Sequence, residues 1–122
     1  MSKCILVVDD EEDVRALIQL GLEMQAGWKV INASSGEEAI AIAASQQPDV
    51  ILLDLMMPNM DGRTTLQRLK NDPKTQKIPV IMMTAKGKSS VEESFANVDV
   101  AAIFTKPLRP LNLAGDISEV LS

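Results

Sequence analysis

The sequence has 122 residues, which is typical of one compact domain, and we predict that a single domain without an output domain occupies residues 1–122. Its formal net charge is −5 and its lysines and arginines are scattered, so we expect no direct contact with nucleic acid. Although 46% of the residues are hydrophobic, no stretch approaches the ~20 apolar residues that span a membrane, and a cytoplasmic protein without a membrane segment follows.

Five short apolar runs alternate along the chain with segments of a different period. The runs are residues 4–8, 28–32, 50–53, 78–83 and 101–105. Most of them are nearly continuous rather than alternating, which is typical of strands covered on both faces by helices. The runs therefore predict five buried β-strands.

The segments between the runs repeat apolar residues at a spacing of three and four, as amphipathic helices do. The five stripes lie near Val14–Gly21 in the first segment, then at Ala39–Ala44, Leu66–Leu69, Val91–Val98 and Ala114–Leu121. Ser35 with Glu38 forms a capping box that predicts the start of the second helix. Asp61-Gly62 predicts the start of the third helix, and Asp72-Pro73 predicts its end.

Strict alternation of strands and helices predicts an α/β fold, a doubly wound (βα)5 sandwich with a parallel sheet and right-handed crossovers. For five strands the flavodoxin-like order 2-1-3-4-5 is the commonest arrangement, and its ligand crevice lies outside the carboxyl ends of strands one and three. Functional residues are therefore expected directly after those strands.

Polar residues stand at the ends of four predicted strands. Asp9 and Asp10 follow the first strand, Asp54 follows the third, Thr84 the fourth and Lys106 the fifth. Each residue alone has an ordinary interpretation, as a helix cap, a turn former or a surface charge. Their joint occurrence at one edge of one sheet predicts a site.

The chemistry of this predicted site favours a hard divalent cation. Neighbouring carboxylates repel each other, and a bound cation relieves the repulsion. The sequence has no histidine and one cysteine, so the ligands are oxygens, which suit Mg²⁺ or Mn²⁺. Our hypothesis is that Asp10, Asp54 and the backbone carbonyl of Met56 bind the metal directly, that Asp9 acts through water, and that Lys106 neutralises the remaining charge.

Several segments resemble the receiver domains of two-component signalling proteins (CheY-like domains). Residues 48–62, PDVILLDLMMPNMDG, resemble the phosphoacceptor region of that family. The same family's acidic pair, hydroxyl motif and lysine motif are matched by residues 5–11, ILVVDDE, by residues 83–86, MTAK, and by residues 104–108, FTKPL. The similarity covers the whole chain in order.

The resemblance implies that the chain is a stand-alone response regulator and not a conventional enzyme. Asp54 would receive a phosphoryl group from a sensor histidine kinase, from a histidine phosphotransfer protein or from acetyl phosphate, and the chain would promote its own phosphorylation and dephosphorylation. Lys106 and Mg²⁺ would stabilise charge during transfer, and Thr84 would then bind a phosphoryl oxygen. The resemblance also implies a cis Lys106-Pro107 bond and a switching face, made by the fourth helix, fifth strand and fifth helix, for an output protein that the sequence does not identify.

One position departs from the family pattern and bears on the switch. The family often has an aromatic residue three positions before the Lys-Pro pair, where this chain has Ile103, and alternation along the strand would turn Phe104 to the opposite side. We therefore assign Thr84 and Ile103 to the switch, and the sequence leaves open whether Ile103 or Phe104 couples it to the output face. Two further interpretations concern the function of the chain and the role of its methionines. A receiver-shaped module that works by protein contact without phosphorylation is the alternative function, and Met56, Met57, Met60, Met82 and Met83 are interpreted as structural fillers.

Overall fold

A computed structural model describes residues 3–84, 100–106 and 108–122. In chain order its elements are β1 (Cys4–Val8), α1 (Glu12–Ala26), β2 (Lys29–Ala33), α2 (Gly36–Gln46), β3 (Val50–Asp54), α3 (Gly62–Asn71), β4 (Val80–Thr84), β5 (Ala102–Thr105) and a C-terminal helix (Pro110–Leu121). None of the helices in these ranges is both long and apolar enough to cross a lipid bilayer. The predicted fourth helical stripe, near Val91 and Val98, lies outside the described residues, as does Pro107 with its predicted cis bond.

The strands form one parallel sheet in the order β2-β1-β3-β4-β5, which confirms the predicted flavodoxin-like topology. Strand bounds agree with the predicted ones to within two residues. The largest difference is at β4, which begins at Val80 rather than at residue 78. The Ile78 N–H donates to the Thr75 carbonyl at 3.0 Å in a turn, and Pro79 has no N–H to offer the strand ladder.

Alternating side chains of the strands divide the core into two layers. In β1, Leu6 and Val8 face the layer covered by α2 and α3, whereas Ile5 and Val7 face the layer covered by α1 and the C-terminal helix. All four side chains are fully buried. Because both faces of the sheet are covered, the central strands can be apolar at every position, as their sequences predicted.

The predicted start of α2 and the predicted start and end of α3 are confirmed. Ser35 Oγ accepts a hydrogen bond from the Glu38 N–H at 3.2 Å, and the Glu38 carboxylate accepts in return from the N–H of the preceding residue, Ser34. Asp61 Oδ1 accepts from the Thr64 N–H at 2.9 Å, and Asp72 follows the last residue of α3. These caps fix where the loops after β2 and β3 end.

Candidate functional site

The carboxyl ends of four strands bring the predicted site residues to one edge of the sheet. Asp9 follows β1, Asp54 ends β3, Thr84 ends β4 and Lys106 follows β5. Pairing of β1 with β3 places Asp9 beside Asp54, because their preceding residues are partners in the register. The Lys106 N–H donates to the Thr84 carbonyl at 2.7 Å, which joins the last two strands at the same edge.

Three carboxylates converge in this edge of the sheet. Asp9, Asp10 and Asp54 each offer an oxygen, and these oxygens lie within 4.8 Å of one another. Asp9 is 0% exposed and Asp54 is 4% exposed, whereas Asp10 is exposed to solvent. Oxygen ligands at this separation fit a hard divalent cation that keeps some of its water. We call this group, together with Lys106, the acidic pocket.

Lys106 supplies the positive charge of the acidic pocket. Its ammonium lies 2.8 Å from Asp9 Oδ2 and 3.2 Å from Asp54 Oδ1. Buried carboxylates require such partners, because an unpaired charge out of water is costly. One ammonium against three carboxylates leaves an excess of negative charge, which a cation would balance.

The environment shifts the pKa of both Asp54 and Lys106. Burial raises the pKa of the Asp54 carboxyl, the charge of Asp9 raises it further, and Lys106 opposes only part of this rise. Burial alone would lower the pKa of the Lys106 ammonium, but its hydrogen bond to Asp9 and the charge of Asp54 outweigh burial and raise it. Lys106 therefore stays charged, and added positive charge would favour the ionised form of Asp54.

Asp9 has a hydrogen-bonding partner at every polar position. Its N–H donates to the Ala33 carbonyl at 3.1 Å, and its own carbonyl accepts from Arg15 Nη1 at 2.7 Å. Of its carboxylate oxygens, Oδ1 accepts from the Glu11 N–H at 2.9 Å and Oδ2 accepts from Lys106. The backbone and the carboxylate of Asp9 are therefore both held in place. The N-cap of α1 is Glu11, so neither Asp9 nor Asp10 serves as that cap.

Sequence reasoning missed Arg15. Its side chain reaches back from the first turn of α1 to the Asp9 carbonyl, six positions earlier in the chain. A hydrogen bond from a long side chain to a backbone carbonyl leaves no periodic signal in the sequence. The proximity of an arginine to an acidic loop was the only available indication.

The loop after β3 is held against the sheet by Gly62. The Gly62 N–H donates to the Leu55 carbonyl at 2.9 Å, and the Leu55 N–H donates to the Met83 carbonyl at 3.0 Å. A Cβ at position 62 would contact the Asp54 carbonyl oxygen and would lie 2.7 Å from the Leu55 Cα. Glycine thus allows the start of α3 to approach the backbone of Asp54 itself.

The interpretation of the five methionines as fillers is confirmed for three, holds in part for the half-buried Met60, and is wrong for Met56. Met57, Met82 and Met83 are buried, but Met56 is 73% exposed, since it lies in the loop where the chain leaves the sheet beside the acidic pocket. The Met56 N–H donates a long hydrogen bond of 3.4 Å to Asp54 Oδ1. The assignment of the Met56 carbonyl as a metal ligand stays a prediction.

The expected alternation along β5 is confirmed. Ile103 packs against the layer covered by α2 and α3, whereas Phe104 packs against the layer covered by α1 and the C-terminal helix. Ile103 is paired with Met82, two residues before Thr84, and Thr84 is itself only 3% exposed. Ile103 therefore lies on the same face of the sheet as the Thr84 side chain.

A doubly wound five-stranded sheet with three aspartates and a lysine at its carboxyl edge defines the class of receiver-type signalling domains, which are not conventional enzymes. The chain belongs to the response regulator receiver domain family, whose model matches residues 5–118. The resemblance seen in the sequence is thereby confirmed.

Individual relatives agree with this assignment. The chain is 39% identical over 121 residues to the phosphate regulon transcriptional regulatory protein PhoB of Pseudomonas aeruginosa, an alignment that covers 99% of this chain and 52% of PhoB. Among solved structures, the chemotaxis protein CheY4 of Vibrio cholerae is 27% identical with a TM-score of 0.89, and the alignment covers 98% of this chain and 99% of that one. The chain spans about half the length of the first curated relatives that it matches.

Proposed function

We propose that the chain accepts a phosphoryl group on Asp54, with Mg²⁺ or Mn²⁺ as cofactor, and that phosphorylation switches its binding to a protein partner. The observation that carries the proposal is the placement of Asp54, which is buried at the end of β3, close to two other carboxylates and paired with Lys106. Asp10, Asp54 and the Met56 carbonyl would hold the metal directly, and Asp9 would act through water.

The transfer makes one bond and breaks one. A carboxylate oxygen of Asp54 attacks the phosphorus of the donor, and the donor's bond to phosphorus breaks, so that a histidine imidazole or acetate leaves and an acyl phosphate forms. The raised pKa of Asp54 disfavours its charged, nucleophilic form. A metal ion held by Asp10 and Asp54 would supply positive charge that favours the ionised carboxylate and balances the phosphoryl oxygens. Hydrolysis later returns the carboxylate and inorganic phosphate.

Lys106 and Thr84 are placed to bind the product. The Lys106 ammonium already lies 3.2 Å from Asp54 Oδ1, so a short movement would transfer it to a phosphoryl oxygen. The Thr84 hydroxyl lies at the end of the neighbouring strand β4 and would donate to another phosphoryl oxygen. Ile103, on the same face, would carry the movement of Thr84 towards the surface of β5.

The partners follow from this chemistry. The donor would be a sensor histidine kinase or a histidine phosphotransfer protein, and the output protein would bind at the face of β5 and the C-terminal helix. The phosphoryl group adds roughly 1.5 to 2 negative charges at one point, enough to bias two states of such a face. A cytoplasmic location is part of the same proposal.

Intact-mass spectrometry after incubation with acetyl phosphate and Mg²⁺ tests the proposal. The wild type should gain one phosphoryl group, and Asp54→Asn should gain none because it lacks the nucleophile. Asp116→Asn is the matched control, since Asp116 is an exposed carboxylate on the C-terminal helix, and it should be labelled like the wild type. A wild-type chain that stays unmodified with both acetyl phosphate and a phosphorylated histidine kinase would instead favour the contact module that works without phosphorylation.

A further inference from the structure

We propose that Arg15 is a positioning residue of the acidic pocket, which holds the Asp9 carbonyl and thereby fixes where Asp10 presents its carboxylate to a cation. The inference rests on the proposed function, because it concerns the same cation site. It adds a residue that neither strand-end position nor charge pattern identified.

The contact that supports this inference is direct. Arg15 Nη1 donates to the Asp9 carbonyl oxygen at 2.7 Å. That oxygen belongs to the peptide group that links Asp9 to Asp10, so the bond fixes the orientation of the backbone entering Asp10. Arg15 itself is half-buried in the first turn of α1, where the helix holds its backbone.

Asp10 depends on its neighbours for its position. Its carboxylate makes no hydrogen bond or ion pair with the residues that the structure describes, and it is exposed. The residues on either side are fixed instead, Asp9 through Ala33 and Arg15, and Glu11 through its N–H donated to Asp9 Oδ1. The Glu11 side chain makes no cap bond that could replace these contacts.

Replacement of Arg15 should change cation binding in opposite directions, depending on whether Arg15 acts through its charge or by positioning Asp10. A guanidinium beside an acidic pocket repels a divalent cation, so if Arg15 acted only through its charge, a neutral residue would strengthen cation binding. If Arg15 positions Asp10, the same replacement frees the Asp9–Asp10 peptide and weakens binding. The sign of the change therefore separates the two accounts.

Titration of the purified, full chain with Mn²⁺, followed by electron paramagnetic resonance, measures cation affinity without any phosphoryl chemistry. Arg15→Met keeps most of the apolar stem and removes the donors. We expect its Mn²⁺ dissociation constant to rise roughly 10-fold, the lower end of the effect of losing a group that orients a metal ligand. Arg68→Met is the matched control, because Arg68 is exposed on α3, and its effect should stay within about twofold.

A kinetic measurement distinguishes positioning from a general loss of structure. The rate of phosphorylation by acetyl phosphate should need roughly 10-fold more Mg²⁺ to reach half its maximum in Arg15→Met, while the maximal rate at saturating Mg²⁺ stays within about twofold. Arg15→Gln, also neutral but with a shorter side chain, repeats both measurements in case Arg15→Met folds poorly, and circular dichroism establishes that each variant is folded.

The outcomes are separable. Weaker Mn²⁺ binding with a retained maximal rate supports the inference. Unchanged or tighter Mn²⁺ binding in the folded neutral variants would overturn it and would leave the proposed function intact. A wild-type chain that binds no Mn²⁺ would overturn the metal step of the proposed function, and the inference would fall with it.

Discussion

The two edges of the sheet use different interactions, although the same strands form both. At the carboxyl edge, Asp9 and Asp54 are buried charges paired with Lys106. At the amino edge, the turn between α3 and β4 is held by bonds to backbone carbonyls: Thr75 Oγ1 donates to Leu69 at 2.6 Å, and Gln47 Nε2 donates to Lys74 at 2.9 Å. Both of these hydrogen bonds join neutral groups, so neither leaves a buried charge unbalanced.

The comparison shows which edge of the sheet responds to ligands and which edge contributes mainly to stability. Buried like charges at the carboxyl edge cost free energy that only a cation or a proton relieves, so that edge is the one that responds to ligands. At the amino edge, the hydrogen bonds of Thr75 and Gln47 to backbone carbonyls hold the turn in place. Mutations at the amino edge should therefore change the free energy of unfolding without changing phosphorylation, whereas mutations that displace the Asp54 backbone at the carboxyl edge should change both.

The largest effect is expected at the carboxyl edge, from Gly62→Ala. The new Cβ would meet the Asp54 and Leu55 backbone and the Met82 side chain, so we expect a loss of about 3 kcal/mol in the free energy of unfolding and weaker phosphorylation. Urea denaturation and intact mass measure the two effects. Gly115→Ala is the matched control: nothing lies within 4 Å of its Cβ, and it should stabilise the C-terminal helix by about 0.5 to 1 kcal/mol. Wild-type stability and labelling in Gly62→Ala would contradict the close approach.

A smaller effect is expected at the amino edge, from Thr75→Val. Thr75 is 1% exposed, and valine would leave the Leu69 carbonyl without the hydroxyl donor, at a cost of about 1 to 2 kcal/mol in urea denaturation. Phosphorylation of the folded protein should be unchanged, and a clear loss of labelling would show that the edges are coupled. Thr105→Val changes an exposed threonine and should shift stability by less than about 0.5 kcal/mol.

The smallest effect is expected from Asp61→Ala. Its interpretation rests on a comparison of Asp61 with Asp54, two carboxylates of the carboxyl edge. The hydrogen bond from the Thr64 N–H lowers the pKa of Asp61, whereas burial raises the pKa of Asp54. Loss of this cap should cost about 1 kcal/mol at neutral pH. Because the folded pKa of Asp61 is lowered, its stabilisation is present above the ordinary aspartate pKa of about 4 and fades as pH falls through the lowered value.

Urea denaturation from neutral to acidic pH measures this dependence. Asp61→Asn is the control, since asparagine caps a helix about as well as aspartate but does not titrate in this range. A stability difference between wild type and Asp61→Ala that stays constant down to strongly acidic pH would contradict the assigned role of the carboxylate.

Much of the fold could be predicted because its determinants are periodic. Continuous apolar runs gave the five strands, and strict alternation with helices led to the strand order. The rule that parallel strands place their carboxyl ends at one edge then brought Asp9, Asp54, Thr84 and Lys106 together without any contact being known. Period-two alternation likewise separated Ile103 from Phe104.

The remaining details could not be predicted because they depend on individual contacts. Met56 is as apolar as Met57, yet only the path of the loop exposes one and buries the other. The bond from Arg15 to the Asp9 carbonyl depends on a side-chain conformation, which no sequence pattern records. The position of Ile78 in a turn follows from Pro79, whose missing N–H could have been weighed against the apolar run.

The full set of partners around Asp9 divides the pocket into a rigid and an adjustable part. Asp9 cannot turn without breaking several bonds at once, whereas the Asp10 carboxylate, attached to a backbone that Arg15 holds, can rotate about its own side-chain bonds in solvent to adjust to a larger or smaller ion. Tolerance of ions with different radii would then reside in a single side chain, while the geometry seen by the incoming donor stays constant.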